Sequence, residues 1–245
     1  MQGNKDSLSK ILNLDVTVDI VDIGANPVDG DGAPPYEMLV KAGLARVTGF
    51  DPNPEALEKL KKNQGKDETY LPYAVGDGKT HTFSICRAEG MSSLLRPNME
   101  LLEYFHGFSH WGEVMEIVET ETVRLDDIGE ITAMDFLKMD TQGSELLILE
   151  NGQEKLAHCL VVHTEVEFLP MYVDQPLFSE VEMFLRERGF VFHRFEPLAS
   201  RMVRPLLFNN NKYAEFKQLT WADAVFIRDF TKFDRLSPQQ LLKLA

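Results

Sequence analysis

The chain has 245 residues, 44% of them apolar and 10% aromatic, so it can bury a sizeable hydrophobic core. The formal net charge is −14 at pH 7, which leaves no broad basic face, so nucleic acid and anionic membrane surfaces are poor candidate partners. No apolar run approaches the roughly 20 residues of a membrane span, and the polar first residues lack an apolar signal segment. We therefore expect a soluble, cytoplasmic protein.

Cysteine and histidine spacing gives no sign of a disulfide framework or a metal centre. Cys86 and Cys159 form neither a CxxC pair nor the framework of a small secreted domain, which predicts two reduced, buried thiols. His106 and His110 have i, i+4 spacing, but glycines within and after that stretch disfavour a helix. No metal is predicted.

The first third of the chain contains the most regular predicted elements. Residues 16–23, VTVDIVDI, are β-branched and end at Gly24, which predicts a buried parallel strand that enters a loop. After this long loop, rich in glycine and proline, YEMLVKAG predicts a short helix. RVTGFD (46–51) predicts a second strand, and NPEALEKLKKNQG predicts a helix with Asn53 as its N-cap.

The middle of the chain is less regular. ETYLPYAV and THTFSI predict two short strands around the turn GDGK. Residues 87–120 predict a loop, a helix and a second loop that together cover a pocket. The later predicted elements are, in chain order, strand 135–140, helix 144–150, strand 159–168, helix 176–188, strand 190–195, a loop insertion at 200–216, strand 221–229 and a short final helix.

Strands that alternate with helices of about 10–15 residues indicate βαβ units, hence a mostly parallel sheet with helices on both faces. No repeat or low-complexity tract divides the chain, so we predict one α/β domain over residues 1–245. Ligands bind to such open sheets outside the carboxyl ends of the strands, near the point where the strand order reverses.

Informative residues fall at those predicted strand ends. They are Gly24 after the first strand, Asp51 with Pro52 after the second, Asp77 after the third, Asp140 after the fourth, and Glu165 and Glu167 late in the fifth. Each acidic residue alone is equally well explained by a helix cap or a solvated turn. Their common position on one rim is what predicts a binding site.

The first two strand ends suggest half of a nucleoside site. A glycine loop such as VDIGAN lets a ligand approach the backbone, and an acidic residue ending the next strand, here Asp51, can accept both hydroxyls of a ribose. A dinucleotide needs GxGxxG to admit its pyrophosphate, and GANPVD lacks that spacing. A nucleoside with a positive or zwitterionic tail fits better, with Asp22 available to an ammonium. S-adenosylmethionine is such a molecule.

A set of segments occurs in order over residues 16–229: VDIGAN, GFDPNPEALEKL, VRLDDI, DFLKMDTQGSELLILENG, HTEVEF and WADAVFIRD. Together they resemble the FkbM-type S-adenosylmethionine-dependent methyltransferases, and the D-x-x-G-S-E helix start is the most specific part. The resemblance implies a seven-stranded Rossmann-like sheet with an antiparallel seventh strand, S-adenosyl-L-methionine as cofactor, and methyl transfer, usually to oxygen. The first loop departs from the family, because Pro27 and Val28 follow Asn26 where members carry a glycine.

The site predictions combine these strand ends with the resemblance. The predicted cofactor-binding residues are Asp22, Gly24, Asn26, Asp51, Pro52, Asp77 and Asp140, and the predicted catalytic residues are Asp140, His163 and Glu165. The expected acceptor is a small-molecule or sugar-like hydroxyl. In proteins of this family the region that Ser92 and Ser93 open can lie near the cofactor. Arg201 and Arg204 can meet an acidic acceptor, but solvated arginines on a loop are the default interpretation.

Several alternatives stay open at this point. Asp140 can favour positive charge or take a proton, or else Asp140 or Thr141 caps the following helix while Glu145 bonds back to the loop. His163 can orient an acceptor or can be a hydrogen-bonded core histidine. A nicotinamide-linked oxidoreductase shares the fold but lacks its glycine motif here, and a catalytically silent nucleoside-binding protein shares even the cofactor site.

Overall fold

The computed structural model describes residues 16–26, 32–211 and 217–244. Its strands are β1 (Val18–Ile23), β2 (Ala45–Phe50), β3 (Glu68–Leu71), β4 (Ala74–Gly76), β5 (Thr80–Cys86), β6 (Val114–Arg124), β7 (Phe136–Met139), β8 (Val161–Glu167), β9 (Phe190–Met202) and β10 (Lys217–Arg228). Its α-helices are α1 (Glu37–Lys41), α2 (Pro54–Asn63), α3 (Met99–Leu102), α4 (Phe108–Trp111), α5 (Glu145–Glu150), α6 (Gln153–Leu156), α7 (Phe178–Glu187) and α8 (Pro238–Leu244).

The principal sheet has seven strands in the order β3-β2-β1-β7-β8-β10-β9. β1 pairs in parallel with β2 on one side and with β7 on the other, so the strand order reverses beside β1. β10 runs antiparallel to both of its neighbours, β8 and β9. The predicted Rossmann-like α/β sheet with an antiparallel last strand is confirmed, and the carboxyl ends of β2, β1, β7 and β8 lie side by side.

Alternation along the central strands divides their side chains between two packed faces. On one face, Val21 and Leu137 join the main core, to which α5 contributes Ile148 and α7 contributes Leu185. On the other face, residues including Ile20, Tyr36 and Val47 form a second cluster. Burial on both faces explains why four of the six residues of β1 are apolar and β-branched. Cys86 and Cys159 are both free and buried, as predicted.

A second, three-stranded sheet has the order β4-β6-β5. Its long strand β6 corrects the prediction of a loop up to residue 120, because residues 114–120 belong to that strand. The sequence VMEIVETETVR places glutamates among β-branched residues and leaves most of the strand exposed or half-buried. The missed signal was its β-branched content, which favours a strand even without an apolar alternation.

Residues 87–113, named here the cover segment, contain a 3-10 turn and helices α3 and α4. Their buried side chains pack with Met171 and Tyr172. Isolated bridges join Pro97 to Tyr172 and Phe105 to Val203. The cover segment therefore lies beside β8 and is held by the chain that follows β8 and β9.

The predicted loop insertion at 200–216 is shorter than expected. β9 continues to Met202, so residues 200–202 are strand, and β10 begins at Lys217. The backbone N–H of Arg204 donates to Tyr104 O at 2.8 Å, which joins this connection to the cover segment. Residues 212–216 lie outside the described part. No helix within the described residues is long and apolar enough to cross a membrane.

Candidate active site

The ends of β2, β1 and β7 meet through their backbones. The N–H of Gly24 donates to Phe50 O at 3.0 Å, and the N–H of Asp140 donates to Ile23 O at 3.1 Å. Gly24 has φ +75°, and a Cβ at this position would lie 2.1 Å from the backbone oxygen of Asp140. Only glycine fits there, so the predicted glycine loop is set by the close approach of β1 and β7.

Asp51 is held firmly at the end of β2. Its Oδ1 accepts the backbone N–H of Asn53 at 2.7 Å, and only 6% of the residue is exposed. Burial raises the pKa of its carboxyl, although the backbone N–H groups of Asn53 and Asn26 act in the opposite direction. Asn53 Oδ1 accepts the N–H of Glu55 at 3.0 Å, which confirms Asn53 as the N-cap of α2. Pro52, between Asp51 and Asn53, is exposed.

A further carboxylate lies beside Asp51 and was missed by the sequence reasoning. Glu89, in the 3-10 turn of the cover segment, accepts Asn26 Nδ2 at 2.9 Å and Asn53 Nδ2 at 3.2 Å on the same oxygen. Nothing in its local sequence marks it, because the contacts span 63 and 36 residues.

Asp22 has internal partners rather than a free carboxylate. Tyr36 Oη donates to its Oδ2 at 2.5 Å, and Lys138 Nζ lies 3.2 Å from its Oδ1 in an ion pair without hydrogen-bond geometry. Lys138 Nζ also donates to Gly24 O at 2.9 Å. Burial raises the pKa of Asp22, and Lys138 lowers it. An ammonium does meet Asp22, but it belongs to this chain; contact with a ligand ammonium stays a prediction.

Gln142 joins the two acidic strand ends. Its Nε2 donates to Asp140 Oδ1 at 2.8 Å and to Glu165 Oε2 at 2.6 Å. Its Oε1 accepts Tyr172 Oη at 2.9 Å, and its backbone oxygen accepts Ser93 Oγ at 2.7 Å. Gln142 has φ +57°, a left-handed conformation that costs a non-glycine residue about 1 kcal/mol or more.

The contacts of Gln142 extend the site beyond the predicted set. Asp140 and Glu165 are brought together as predicted, and Ser93 lies beside them on the cover segment. Gln142 itself stands within the quoted D-x-x-G-S-E segment, but its left-handed backbone has no signal in a glutamine. Tyr172 has no local signal, because it reaches Gln142 from 30 residues away.

The loop between β7 and α5 settles the capping alternative. Glu145 accepts the backbone N–H and the hydroxyl of Thr141 and the N–H of Gly143, at 2.8–2.9 Å. Glu145 thus bonds back to the loop, as that alternative expected. The cap position is occupied by Ser144, which makes no side-chain cap bond, whereas Asp140 bonds Gln142. Asp140 is therefore not the cap of α5.

Buried carboxyls cluster around Asp140. Burial, with the nearby charge of Asp140, raises the pKa of Glu165 well above its ordinary value. Burial and the charge of Glu145 do the same to the pKa of Glu167. Burial raises the pKa of Glu145 to about 6, against the hydrogen bonds that it accepts. Burial thus favours the protonated forms of Glu165 and Glu167, and a protonated carboxyl can donate a hydrogen bond but cannot act as a base.

Two predicted residues lie away from this cluster. His163 precedes Glu165 by two strand residues, about 7 Å further from the edge, and stacks on Phe136 with 6.4 Å between ring centroids. Burial lowers its pKa to about 4, and its Nδ1 has no hydrogen-bond partner. Asp77 binds His81 Nε2 at 2.6 Å and Lys79 Nζ at 2.9 Å, and these contacts lower its pKa despite its burial. The ligand roles of both residues stay predictions.

Two concavities lie at the opposite edge of the sheet. One cavity of about 250 Å³ is lined by residues that include Asp135, Lys155, His158 and Lys243. A second, of about 280 Å³, is lined by residues that include Asp19, Arg46 and Glu130. Both involve the amino ends of the strands, so neither coincides with the cluster around Asp140.

The carboxyl edge suits S-adenosylmethionine. Gly24 lets the ends of β1 and β7 approach each other closely, and Asp51 supplies a carboxylate that is already fixed by backbone N–H groups. The hydroxyl of Ser144 is buried without a hydrogen-bond partner. Asp140 and Glu165 form no direct ion pair with a cation among the described residues, so a sulfonium would meet carboxyl groups there, with the ammonium of Lys138 acting on Asp140 from a longer distance.

Comparison with known proteins gives one curated relative and several structural neighbours. The chain is 26% identical over 178 residues to the 2-O-methyltransferase NoeI of Sinorhizobium fredii (strain NBRC 101917 / NGR234), and the match covers 65% of each protein. The chain thus spans less than two thirds of the length of that relative.

The structural neighbours are more distant. Magnesium protoporphyrin IX methyltransferase (ChlM) from Synechocystis PCC 6803, solved with bound SAM, has a TM-score of 0.41 and 10% identity over 87% of this chain and 71% of its own. M. jannaschii TYW2, solved in complex with AdoMet, has a TM-score of 0.35 and 15% identity over 92% of this chain and 79% of its own. These low scores carry no conclusion about function.

The chain also matches the model of a protein family. The model of the methyltransferase FkbM domain matches residues 22–192, from the strand that carries Asp22 to the start of β9. This range contains Gly24, Asp51, Asp140 and Glu165. Because it covers more than half of the 245 residues, the chain belongs to the FkbM family of S-adenosylmethionine-dependent methyltransferases, as its sequence predicted.

Proposed function

We propose that this protein transfers a methyl group from S-adenosylmethionine to a hydroxyl of a small, sugar-like acceptor. The observation that carries the proposal is the convergence of Gly24, Asp51 and Asp140 at the carboxyl ends of three adjacent strands. This edge lies at the reversal of strand order, where open sheets of this type bind nucleotides.

The cofactor supplies an electrophilic methyl group that is displaced in line, so positioning accounts for much of the rate. Asp51 would accept ribose hydroxyls, and Gly24 would let the adenosyl group lie against the backbone of the first loop. Asp22 would act indirectly, by holding Lys138 against the carbonyl of Gly24. These roles explain why the acidic residues are needed at separate strand ends.

Asp140 is the carboxylate that we assign to the acceptor. Gln142 fixes its Oδ1 at 2.8 Å, and Asp140 is more exposed than Glu165. It can orient the acceptor hydroxyl and take its proton as the new bond to the methyl carbon forms. The raised pKa of Glu165 favours its protonated form, so it would donate a hydrogen bond and not act as the base. His163 is neutral but lies below this edge, so a supporting role suits it better.

An oxygen acceptor is the finer part of the proposal. Its support is the name of the curated relative, a 2-O-methyltransferase, together with carboxyl groups that suit hydroxyl donors. A sugar hydroxyl offers several donors to such a rim. We also retain the cytoplasmic location as a prediction from the two thiols.

Two measurements test the proposal. In isothermal titration, S-adenosylhomocysteine should bind while NAD should not; binding of NAD alone would favour the oxidoreductase alternative. Methyl transfer from radiolabelled S-adenosylmethionine should then be measured with a panel of oligosaccharides and of matched amines. Labelled oligosaccharide supports the assignment, labelled amines would overturn the oxygen acceptor, and binding without any transfer would favour the silent nucleoside-binding protein.

A further inference from the structure

We infer that Glu89 is a second carboxylate of the nucleoside subsite and that it binds a ribose hydroxyl beside Asp51. The inference rests on the proposed function, because it places the ribose at the end of β2. It adds a residue from the cover segment to a subsite otherwise built from the principal sheet.

The position of Glu89 is fixed from two sides of the subsite. Its Oε1 accepts the side-chain amide of Asn26, two residues after Gly24, at 2.9 Å. The same oxygen accepts the amide of Asn53, two residues after Asp51, at 3.2 Å. Glu89 therefore links the loops that leave β1 and β2, at the edge where the proposed nucleoside subsite lies.

The hydrogen-bonding capacity of the two carboxylates is different. Asp51 is 6% exposed and accepts backbone N–H groups, so little of it is left open. Glu89 is exposed, and within the described residues no donor reaches its Oε2. A ribose presents two neighbouring hydroxyls, and a carboxylate oxygen is a strong acceptor for each. Two carboxylates on one rim match that pair of donors.

The electrostatics agree with this assignment. The charge of Glu89 adds to the effect of burial in raising the pKa of Asp51, so the two groups repel each other. Hydroxyl donors placed between two such carboxylates offset part of that repulsion. The two asparagine amides are neutral and hold Glu89 in place without cancelling its charge.

The test compares Glu89→Gln with wild type in isothermal titration, using S-adenosylhomocysteine and its 2′,3′-dideoxy analogue as probes. Glutamine keeps the size and an acceptor for Asn26 and Asn53 but replaces the charged acceptor. Affinity for S-adenosylhomocysteine should fall by roughly 10-fold to 100-fold, whereas affinity for the dideoxy analogue should be unchanged. Glu113→Gln, which alters another exposed carboxylate of the cover segment, should leave both affinities unchanged.

The possible outcomes separate this inference from the proposed function. If Glu89→Gln and Glu89→Ala both bind S-adenosylhomocysteine as tightly as wild type does, the inference alone is overturned. An equal loss for both probes also overturns it, since the effect would then come from the loops and not from the ribose. A wild-type protein that binds neither probe overturns the proposed function as well. Glu89→Ala, measured in the same way, covers the case in which glutamine substitutes for glutamate.

Discussion

The acidic residues at the two edges of the principal sheet have different kinds of partner. At the amino edge, Asp135 forms an ion pair with Lys243, and Asp19 with Arg46 at 2.7 Å. At the carboxyl edge, Asp140 and Glu165 share the neutral amide of Gln142. The two cavities lie at the amino edge, where the acidic residues are ion-paired. The left-handed backbone of Gln142 and the raised pKa of Glu165 lie at the carboxyl edge, where Asp140 and Glu165 have a neutral partner.

If the proposed site at the carboxyl edge is right, concavity alone is a poor guide to the site in this fold. A cavity lined by internally paired charges has its interactions already satisfied, and so it offers a ligand little. Carboxyls held by neutral donors keep capacity for a positive or hydroxyl-bearing ligand, at a cost in desolvation. The exception at the carboxyl edge is Asp22, which is paired with Lys138.

The largest effect is expected when the ion pair between Asp22 and Lys138 is broken. Lys138→Met should destabilise the fold by about 3–5 kcal/mol, because it leaves the buried carboxylate of Asp22 without its cation. Lys138→Met with Asp22→Asn should recover most of the loss. Urea denaturation of both variants provides the measurement, and equal stability of the single and double variants would show that the pair is not coupled.

The next effect concerns turnover. Asp140→Asn keeps an oxygen that can accept from Gln142, so stability should change by less than about 1 kcal/mol, while methyl transfer should fall about 100-fold or more. Initial rates at saturating cofactor, with the acceptor identified from the panel, measure this. Thr141→Ser serves as a neighbouring control, because it retains the hydroxyl bonded to Glu145. Full activity in Asp140→Asn would remove Asp140 from the reaction.

A smaller effect is expected on cofactor affinity. Asp51→Ala should weaken binding of S-adenosylhomocysteine by about 1–3 kcal/mol for each hydroxyl that loses its acceptor. Isothermal titration measures the affinity, and circular dichroism checks that the variant is folded. Glu55→Ala, at the exposed start of α2, is the matched control. Unchanged affinity in folded Asp51→Ala would mean that this carboxylate only organises the turn at Asn53.

The smallest expected effect comes from the raised pKa of Glu165. Because the pKa of Glu165 is higher in the folded than in the unfolded state, its contribution to stability is complete below the unfolded pKa and is lost as pH rises through the folded pKa. Stability should therefore fall as pH rises above about 4.5, the ordinary pKa of a glutamate, by up to about 1.4 kcal/mol for each unit that is titrated. Thermal unfolding of Glu165→Gln should show a shallower fall.

Two comparisons separate the effect of Glu165 on stability from that of other groups. The lowered pKa of His163 has the opposite consequence, since its stability contribution is lost as pH falls from about 6.5 towards about 4. The contribution of His163 thus increases with pH where that of Glu165 begins to decrease, and His163 is present in both wild type and Glu165→Gln, so the difference between their curves reports on Glu165. Glu119→Gln, an exposed change on β6, should follow the wild-type curve. A Glu165→Gln curve as steep as wild type would assign the fall in stability to another group.

The elements that position the site could be predicted from sequence because their signals are local. β-branched runs that end in glycine or aspartate predicted β1 and β2, and the run of residues before Asp140 predicted β7. Asn53 with Pro54 predicted the start of α2. Strand-end logic then placed Asp51 and Asp140 on one rim. The strand β6 was missed because its exposed, glutamate-rich sequence lacks an apolar alternation.

The partners of the predicted residues could not be predicted, because they depend on long-range contacts. Lys138 is 114 residues from the Gly24 carbonyl that it binds. Asp22 was expected to be free, and only the register of β1 with β7 shows that Lys138 lies opposite it. Periodicity and local motifs contain no such pairings, so they could not show that Asp22 has a charged partner within this chain.

The attachment of the cover segment has a kinetic consequence. Backbone hydrogen bonds from Asn98 to Met171, from Val173 to Arg96 and from Arg204 to Tyr104, each 2.8 Å long, fasten it to two separate parts of the chain. Release of this segment must break these bonds together with its apolar packing. If acceptor exchange requires that release, it becomes a cooperative sub-global opening, and the amide protons of Asn98, Val173 and Arg204 should then exchange with solvent deuterium at one common rate.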